Sequence, residues 1–422
     1  MPLRRIGAEL CKRGEDVAML TGVEYHDQVT AEGMRFFTLP DEARPARPSV
    51  TRPMAGSRLN TVLDRWKQGR LDLASVFISP LNAQFEALRR VLAASRFDVV
   101  LCDLAFTGAL ALLLSGVPRP RVVVCGVGPL MLSSVDTPPF GVGWQPRHQT
   151  SYRAMNIVVQ RVLFRGIQRS LNRSLEESVG VGAPVFIADW PLLADCMLQL
   201  TVPQLEYPRS DLASSVVFSG PILATLNAEE WERPQWWPLL SEGRKVVHVT
   251  QGTWDNGHLN QLIMPTVKAL RDRADVMVVV TTGRRGQHTL DQPCPPNVYV
   301  TDFIDYTQLL PYVDLMVTNG GYGGVHEALA HAVPLIIAGQ TADKHEVAAR
   351  VAYAGAGLDL GTARPTPATI SDAVQRVMRT ESYRAAATAL QRRITECRAH
   401  ETIAELLEIS LDNRRSESQH QN

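Results

Sequence analysis

Short, continuous runs of apolar and largely β-branched residues recur along this chain and alternate with segments of helical periodicity. Such runs are typical of strands buried on both faces, and parallel strands need helical crossovers between them. The pattern therefore predicts an α/β protein built of parallel sheets with helices on their faces. The clearest runs are FDVVLCDL (97–104), PRVVVCGVG (120–128), KVVHVT (245–250), VMVVVTTG (276–283) and PLIIAG (334–339).

The runs fall into two groups, which predict two doubly wound Rossmann-like domains facing a central cleft. We expect an N-terminal domain over 1–220, a linker over 221–240 that contains three Pro and three Trp, and a C-terminal domain over 241–395. Residues 396–422 predict a helix, which crosses back to the first domain, and a disordered polar tail. Single helices are also predicted over 59–69, 152–178 and 368–395.

Charge and cysteine content exclude several classes of protein. Lys and Arg number 43 and Asp and Glu number 43, so the formal net charge is zero, which disfavours nucleic acid as the main partner. The six Cys form no CxxC pair and no zinc spacing, which predicts reduced thiols in a cytoplasmic protein. No apolar stretch reaches the ~18–20 residues of a membrane span, and no signal-peptide core follows Met1.

The strongest local signal is a glycine-rich turn between a predicted strand and a predicted helix. The strand ends at Asn319, and Gly320, Gly321, Gly323 and Gly324 lead directly into the helix. Glycines allow close backbone approach, and the amides of a helix start favour an anion such as a phosphate. The pattern is neither GxGxxG nor a P-loop, so it indicates no dinucleotide and no P-loop nucleotide. A tight turn without a ligand is the alternative.

Acidic and basic side chains follow in the same layer. Glu327, expected in the first turn of the helix, either complements the helix dipole or accepts hydrogen bonds from a ribose diol. Asp343 and Lys344 fall at the next strand-to-helix turn. They form either an N-cap and a solvated lysine or a polar pair facing sugar hydroxyls.

Two other motifs are excluded. HEALAH (326–331) places its His residues five apart, and these lie about 140° apart on a helix, so they cannot share a zincin face. No GxSxG occurs, which excludes a nucleophile elbow.

The segment 314–358 resembles the donor-site signature of the UDP-glycosyltransferase family, whose fold is GT-B. The family form is a strand, HGGxGT, a helix with EAL, GVPxVxxP, DQ and GAG. VTQGT (249–253) and NVYVTDFIDYTQLLPYVD (297–314) are similar to further family segments, and CDL (102–104) resembles its acceptor-side Asp turn. The resemblance covers almost the whole chain.

The resemblance implies a role for each matching residue. Thr253 and the amides of the 320–324 loop hold the donor diphosphate, and Glu327 binds the ribose. Phe303 stacks on the base, and the backbone of Ile304 contacts its edge. Asp343 and Lys344 meet the hexose hydroxyls, and Asp103 orients the catalytic histidine. For Phe303 and Asp103 the alternatives are a core side chain and a strand-end turn.

Three departures from the family pattern affect the donor site. Asn319 stands where the family has a phosphate-contacting His, and Asn donates a hydrogen bond without positive charge. Gly324 replaces the Thr of HGGxGT, and Lys344 replaces Gln. These changes put the donor's identity in doubt but leave the backbone anion site in place.

A fourth departure concerns the first strand. Pro2 resembles the proline of the family's His-x-x-Pro turn, so the strand and the general-base histidine that precede it are not found in this sequence. The absent strand belongs in the middle of the sheet, and its two neighbours then expose unpaired edges. Either the start codon is assigned too late or the protein is a degraded paralogue.

The resemblance implies an inverting transfer of a hexose from a UDP- or TDP-linked sugar to a hydroxyl of a lipophilic acceptor, with no metal and no cofactor besides the sugar nucleotide. Loop 131–150 and helix 152–178 are expected to line the acceptor site. The alternative is a catalytically impaired sugar-nucleotide-binding or accessory paralogue. A sugar-nucleotide epimerase of the same fold fits the 314–358 signature poorly. The oligomeric state is not predicted.

Overall fold

A computed structural model describes residues 2–45, 69–224, 232–253 and 255–408. The C-terminal half contains a six-stranded parallel sheet of order β12-β11-β10-β7-β8-β9. Apart from the exposed Lys245 at the start of β7, the residues of its central strands are buried, as their apolar runs predict. These strands are β7 (Lys245–Thr250), β8 (Val276–Thr281), β9 (Val298–Thr301), β10 (Leu315–Thr318), β11 (Leu335–Ile337) and β12 (Gly357–Asp359).

The described strands of the N-terminal half form two separate parallel sheets. One pairs β1 (Ala18–Thr21) with β2 (Arg35–Thr38). The other has the order β3-β4-β5-β6, and in the part of the chain that the structure describes β1 shares no ladder with β3. The second sheet contains β3 (Val99–Asp103), β4 (Arg121–Gly126), β5 (Cys196–Gln199) and β6 (Val216–Phe218).

Helices cover both faces of the sheets. In the N-terminal half they are α1 (Pro2–Lys12), α2 (His26–Ala31), α3 (Leu81–Ala94), α4 (Gly108–Leu114), α5 (Arg153–Val158) and α6 (Arg165–Val179). In the C-terminal half they are α7 (Ile263–Leu270), α8 (Tyr306–Leu309), α9 (Tyr322–Ala330), α10 (Lys344–Tyr353), α11 (Pro367–Arg379), α12 (Glu381–Glu396) and α13 (399–408).

Two helices that were predicted to be continuous are interrupted. The helix over 152–178 contains a π-helical turn at Val159–Leu163, and a break at Phe164, whose φ of −103° is not helical, separates α5 from α6. Val159 and Phe164 are both buried in the core, so the π-helical turn directs both side chains toward the core. The helix over 368–395 divides at Thr380, which has extended ψ. The helix over 59–69 and the polar tail fall almost wholly outside the described residues.

The last described helix returns to the N-terminal domain, as predicted. Ala399 and Ile403 of α13 share a core with Ile6 and Leu10 of α1 and with Val123 of β4. The C-terminal sheet is covered by two further apolar clusters. The chain therefore crosses between the domains twice, at the linker and before α13. Among the described residues no helix is both long and apolar enough to cross a membrane.

Candidate donor site between the two domains

The predicted donor residues gather where the strands of the C-terminal sheet end. Because the sheet is parallel, the segments after β7, β10 and β11 leave the same edge. The side-chain nitrogen Nδ2 of Asn319 donates a hydrogen bond to the carbonyl oxygen of Gln251. This bond connects the end of β10 to the turn after β7. That turn carries the exposed Thr253. The Asn319 side chain therefore holds the site together from within.

The glycine turn is shorter than predicted, because α9 begins at Tyr322. Gly320 and Gly321 form the turn, whereas Gly323 and Gly324 lie in the first helical turn. Gly320 has a φ of 87°, which glycine adopts most easily. The N–H groups of the first turn have no partners within a helix, and the N-cap Gly321 supplies no side chain to cover them. The helix start can therefore bind an anion.

Open space adjoins this helix start. A Cβ added to Gly321 or to Gly323 would meet no atom within 4 Å. A Cβ on Gly320, by contrast, would lie 2.7 Å from Cγ2 of Ile337. Gly320 is thus required by packing, while Gly321 and Gly323 leave room for a ligand beside the free amides.

Glu327 lies in the second turn of α9, which contradicts its predicted place in the first turn and removes the helix dipole as its explanation. Its Oε1 accepts a hydrogen bond of 2.6 Å from the backbone N–H of Ala224, and Nη1 of Arg5 lies 3.9 Å away. Its Oε2 is buried and accepts no hydrogen bond from the described residues. Burial, together with the charge of Asp305, raises the pKa of Glu327.

Phe303 and Ile304 follow β9. The next residue, Asp305, is close enough to Glu327 for its charge to act on the Glu327 carboxyl group. The Phe303 ring is 41% exposed, so its interpretation as a core side chain is wrong. Ile304 packs against the apolar cluster beneath. The exposed Phe303 ring, next to the packed Ile304, offers a flat stacking surface.

Asp343 and Lys344 open α10. Asp343 makes no side-chain capping bond, and a Cβ added to Gly128 of the N-terminal domain would lie 3.2 Å from its Oδ2. Burial raises the pKa of Asp343. Lys344 is buried rather than solvated, and its Nζ donates to Oγ1 of Thr341 at 2.8 Å and lies 3.6 Å from Oδ2 of Asp255. Asp343 therefore faces the opposite domain, and the solvated-lysine alternative is wrong.

Asp103 belongs to the N-terminal domain and lies at the end of β3. Its Oδ1 accepts a hydrogen bond of 2.7 Å from the N–H of Ala105, which is the strand-end turn that the sequence left open as an alternative. Burial raises the pKa of its carboxyl group.

A buried ionic cluster joins the domains, and the sequence did not predict it. Nε of Arg350 on α10 lies 2.6 Å from Oε2 of Glu206, and its Nη1 lies 2.8 Å from Oε2 of Glu346. All three residues are less than 5% exposed. Burial alone would lower the pKa of Arg350, but the two carboxylates outweigh it and raise the pKa. Glu206 and Arg350 lie 144 residues apart, so no local pattern joins them.

A neutral histidine adds a second buried contact between the domains. Nδ1 of His326 donates to the carbonyl oxygen of Tyr322 at 2.9 Å, and its Nε2 accepts from Oγ1 of Thr201 at 2.7 Å. Burial lowers the pKa of His326 to about 4, so it is uncharged at neutral pH. In the described ranges no three His, Cys, Asp or Glu residues come together as metal ligands.

Comparisons with known proteins agree with this architecture. A family model described as "Erythromycin biosynthesis protein CIII-like, C-terminal domain" matches residues 266–409. The chain is 35% identical over 412 residues to 4'-demethylrebeccamycin synthase of Lentzea aerocolonigenes, covering 92% of this chain and 91% of that protein. It is 33% identical over 419 residues to UDP-glycosyltransferase 2 of Phaeomoniella chlamydospora, covering 96% and 91%.

Solved structures confirm the predicted fold of two facing α/β domains. The calicheamicin glycosyltransferase CalG4 superposes with a TM-score of 0.68 at 19% identity, over 97% of this chain and 94% of that one. The spinosyn rhamnosyltransferase SpnG, solved with thymidine diphosphate, gives 0.66 at 17% identity, over 96% of both chains.

Proposed function

The chain belongs to the UDP-glycosyltransferase family, and from that premise we propose that it transfers a hexose from a UDP- or TDP-linked sugar to a hydroxyl of a lipophilic small molecule. The observation that carries the proposal is the start of α9, where free amides adjoin open space and the unpartnered Oε2 of Glu327 lies one turn further along. A diphosphate and a ribose need these two kinds of group side by side.

The reaction is a direct displacement with inversion. The acceptor's oxygen forms a bond to the anomeric carbon while the bond between that carbon and the diphosphate oxygen breaks. The proton of the acceptor hydroxyl is released to solvent water. The amides of Tyr322, Gly323 and Gly324 stabilise the negative charge that develops on the leaving diphosphate. The backbone supplies this stabilisation, so we propose that no metal is required. Asp343, at the adjacent strand end, holds the hexose through its hydroxyl groups.

The acceptor lies on the side of the N-terminal domain, beside the loop that follows β4. The apolar side chains of this loop divide into two sets. Leu132 is 5% exposed and belongs to a core cluster, so it serves packing. Trp144 is 48% exposed, and Phe140 is partly exposed. These two rings support a flat, lipophilic acceptor.

We also propose that the enzyme acts in the cytoplasm. Cys102, Cys125 and Cys196 are buried, lie on neighbouring strands and are all free thiols. Burial raises the pKa of each, which keeps the thiols protonated and unreactive. A reducing compartment suits such a chain.

The test is donor binding followed by transfer. Calorimetric titration with UDP and with TDP measures binding, and mass spectrometry detects a hexosylated product from UDP-glucose or TDP-glucose with 4-methylumbelliferone or a macrolactone alcohol. We expect binding and transfer, both unchanged by EDTA. Binding without transfer to any acceptor would favour the sugar-nucleotide-binding paralogue, and the absence of both would overturn the proposal.

A further inference from the structure

Helix α10 does more than carry Asp343 and Lys344 at its start, because its next residues contact the loop that follows β4. We name residues 127–152 the β4 loop. Nε2 of His345 donates to the carbonyl oxygen of Gly141 at 3.0 Å, and Nε2 of Gln145 donates to the carbonyl oxygen of Ala349 at 3.2 Å. Nη2 of Arg350 donates to the carbonyl oxygen of Leu130 at 3.2 Å.

Glu346 is the centre of this contact. Its Oε1 accepts hydrogen bonds of 2.8 Å from the N–H groups of both Gly141 and Gly143. Its Oε2 accepts from Arg350, and the side chain is only 4% exposed. Hydrogen bonds to a buried carboxylate are about twice as strong as neutral ones. One side chain therefore anchors the loop backbone at two points.

The anchored backbone contains two glycines with positive φ. Gly141 and Gly143 have φ values of 97° and 66°, and the residue between them, Val142, is buried. Phe140 and Trp144 flank this segment directly. Fixing both glycine amides therefore fixes the backbone that carries the two rings of the proposed acceptor site.

We propose that Glu346 is a positioning residue for the acceptor: it locks the β4 loop onto the helix whose first residues face the donor sugar. The inference rests on the proposed function and adds that acceptor selectivity depends on a side chain of the donor domain. Loss of the anchor would loosen the acceptor side while Asp343 and Lys344 keep the donor side intact.

Steady-state kinetics with UDP-glucose and 4-methylumbelliferone separates the two sides. We expect Glu346→Ala to raise the KM for the acceptor about tenfold or more, with less than a twofold change in the KM for the donor. Glu346→Gln keeps a carbonyl oxygen for both glycine amides, so it should restore much of the acceptor affinity. Glu177→Ala, at an exposed helical position on α6, is the control and should match the wild type.

A variant on the loop itself leaves the ionic cluster untouched and covers the case in which Glu346→Ala folds poorly. Alanine at Gly143 would be strained by the positive φ and would place Cβ 3.1 Å from Cδ2 of His345. Gly143→Ala should therefore give the same rise in acceptor KM, and hydrogen exchange at 139–146 should accelerate in both variants.

The outcomes distinguish this inference from the proposed function. A wild-type enzyme that transfers glucose, with variants whose acceptor KM is unchanged or whose two KM values rise together, would overturn the positioning role alone. A wild-type protein that transfers no sugar to any acceptor would overturn the proposed function and this inference with it.

Discussion

At the scale of single residues, Glu327 shows how the proposed ribose-binding group is built at a cost to stability. Its carboxylate is buried against the linker at Ala224, yet Oε2 receives no hydrogen bond from the described residues. An ionised oxygen left without a partner destabilises the folded protein. Such a group is worth retaining where a ligand hydroxyl completes its hydrogen bonds.

We expect Glu327→Gln to stabilise the free protein and to weaken nucleotide binding. Because burial raises the pKa of Glu327, the native state binds protons more tightly than the unfolded state. Stability therefore falls as pH rises from the ordinary pKa of Glu through the raised value, and it stays lower above that value. Glutamine removes this loss, so its unfolding temperature should exceed that of the wild type at pH 7, with the difference closing as pH falls.

The binding effect is measured separately by titration with UDP. Loss of a charged acceptor for the ribose should cost about 1–3 kcal/mol of binding free energy. Glu15→Gln, at an exposed position beyond the end of α1, is the control and should change neither property. Unchanged UDP affinity in Glu327→Gln would assign the residue to its contact with Ala224 alone.

At the scale of elements, the start of α9 combines two demands on glycine. Gly320 satisfies a backbone requirement, since its φ is positive and Ile337 occupies the space of a side chain. Gly323 has neither constraint, because it lies within the helix beside open space. One glycine therefore serves the fold, and the other leaves open space where we propose that the diphosphate binds.

Alanine at these two positions should give opposite effects on stability. Gly320→Ala should destabilise the protein by about 2 kcal/mol or more, because left-handed backbone costs about 1–2 kcal/mol and the contact with Ile337 adds to it. Gly323→Ala should stabilise it by up to about 1 kcal/mol, because alanine is the better helix former. Thermal unfolding measures both.

In Gly323→Ala, we expect UDP affinity and stability to change in opposite directions. A methyl group at Gly323 fills the space beside the free amides, so UDP should bind several-fold more weakly to the more stable protein. Wild-type UDP affinity in Gly323→Ala would show that the diphosphate does not approach this face of α9.

At the scale of the whole molecule, the two-domain architecture could be predicted because strands buried on both faces leave a continuous apolar signature. The start of α9 was misplaced by two residues, since glycine carries little helix propensity and the cap is Gly321 rather than Ser, Thr, Asp or Asn. Lys344 and Glu346 resemble solvated helix residues in the sequence. Lys344 packs against Asp255 of its own domain and Glu346 against the β4 loop of the opposite domain, and no local spacing encodes either contact.

The same contact governs how the domains are held together. Glu206 lies between β5 and β6, whereas Arg350 and Glu346 belong to α10. A buried ion pair of this kind often contributes little net free energy over apolar residues of the same size, but removing one partner leaves the other charge uncompensated. The cluster therefore specifies one arrangement of the domains more than it strengthens that arrangement.

Replacing the shared cation tests this view. Arg350→Met leaves two buried carboxylates without their principal partner and should lower the free energy of unfolding by about 3–5 kcal/mol, measured by urea denaturation at pH 7. The triple variant Glu206→Gln, Arg350→Met, Glu346→Gln carries no buried charge at these positions and should recover much of that loss. A triple variant no more stable than Arg350→Met would show that packing of the arginine stem, rather than its charge, joins the domains.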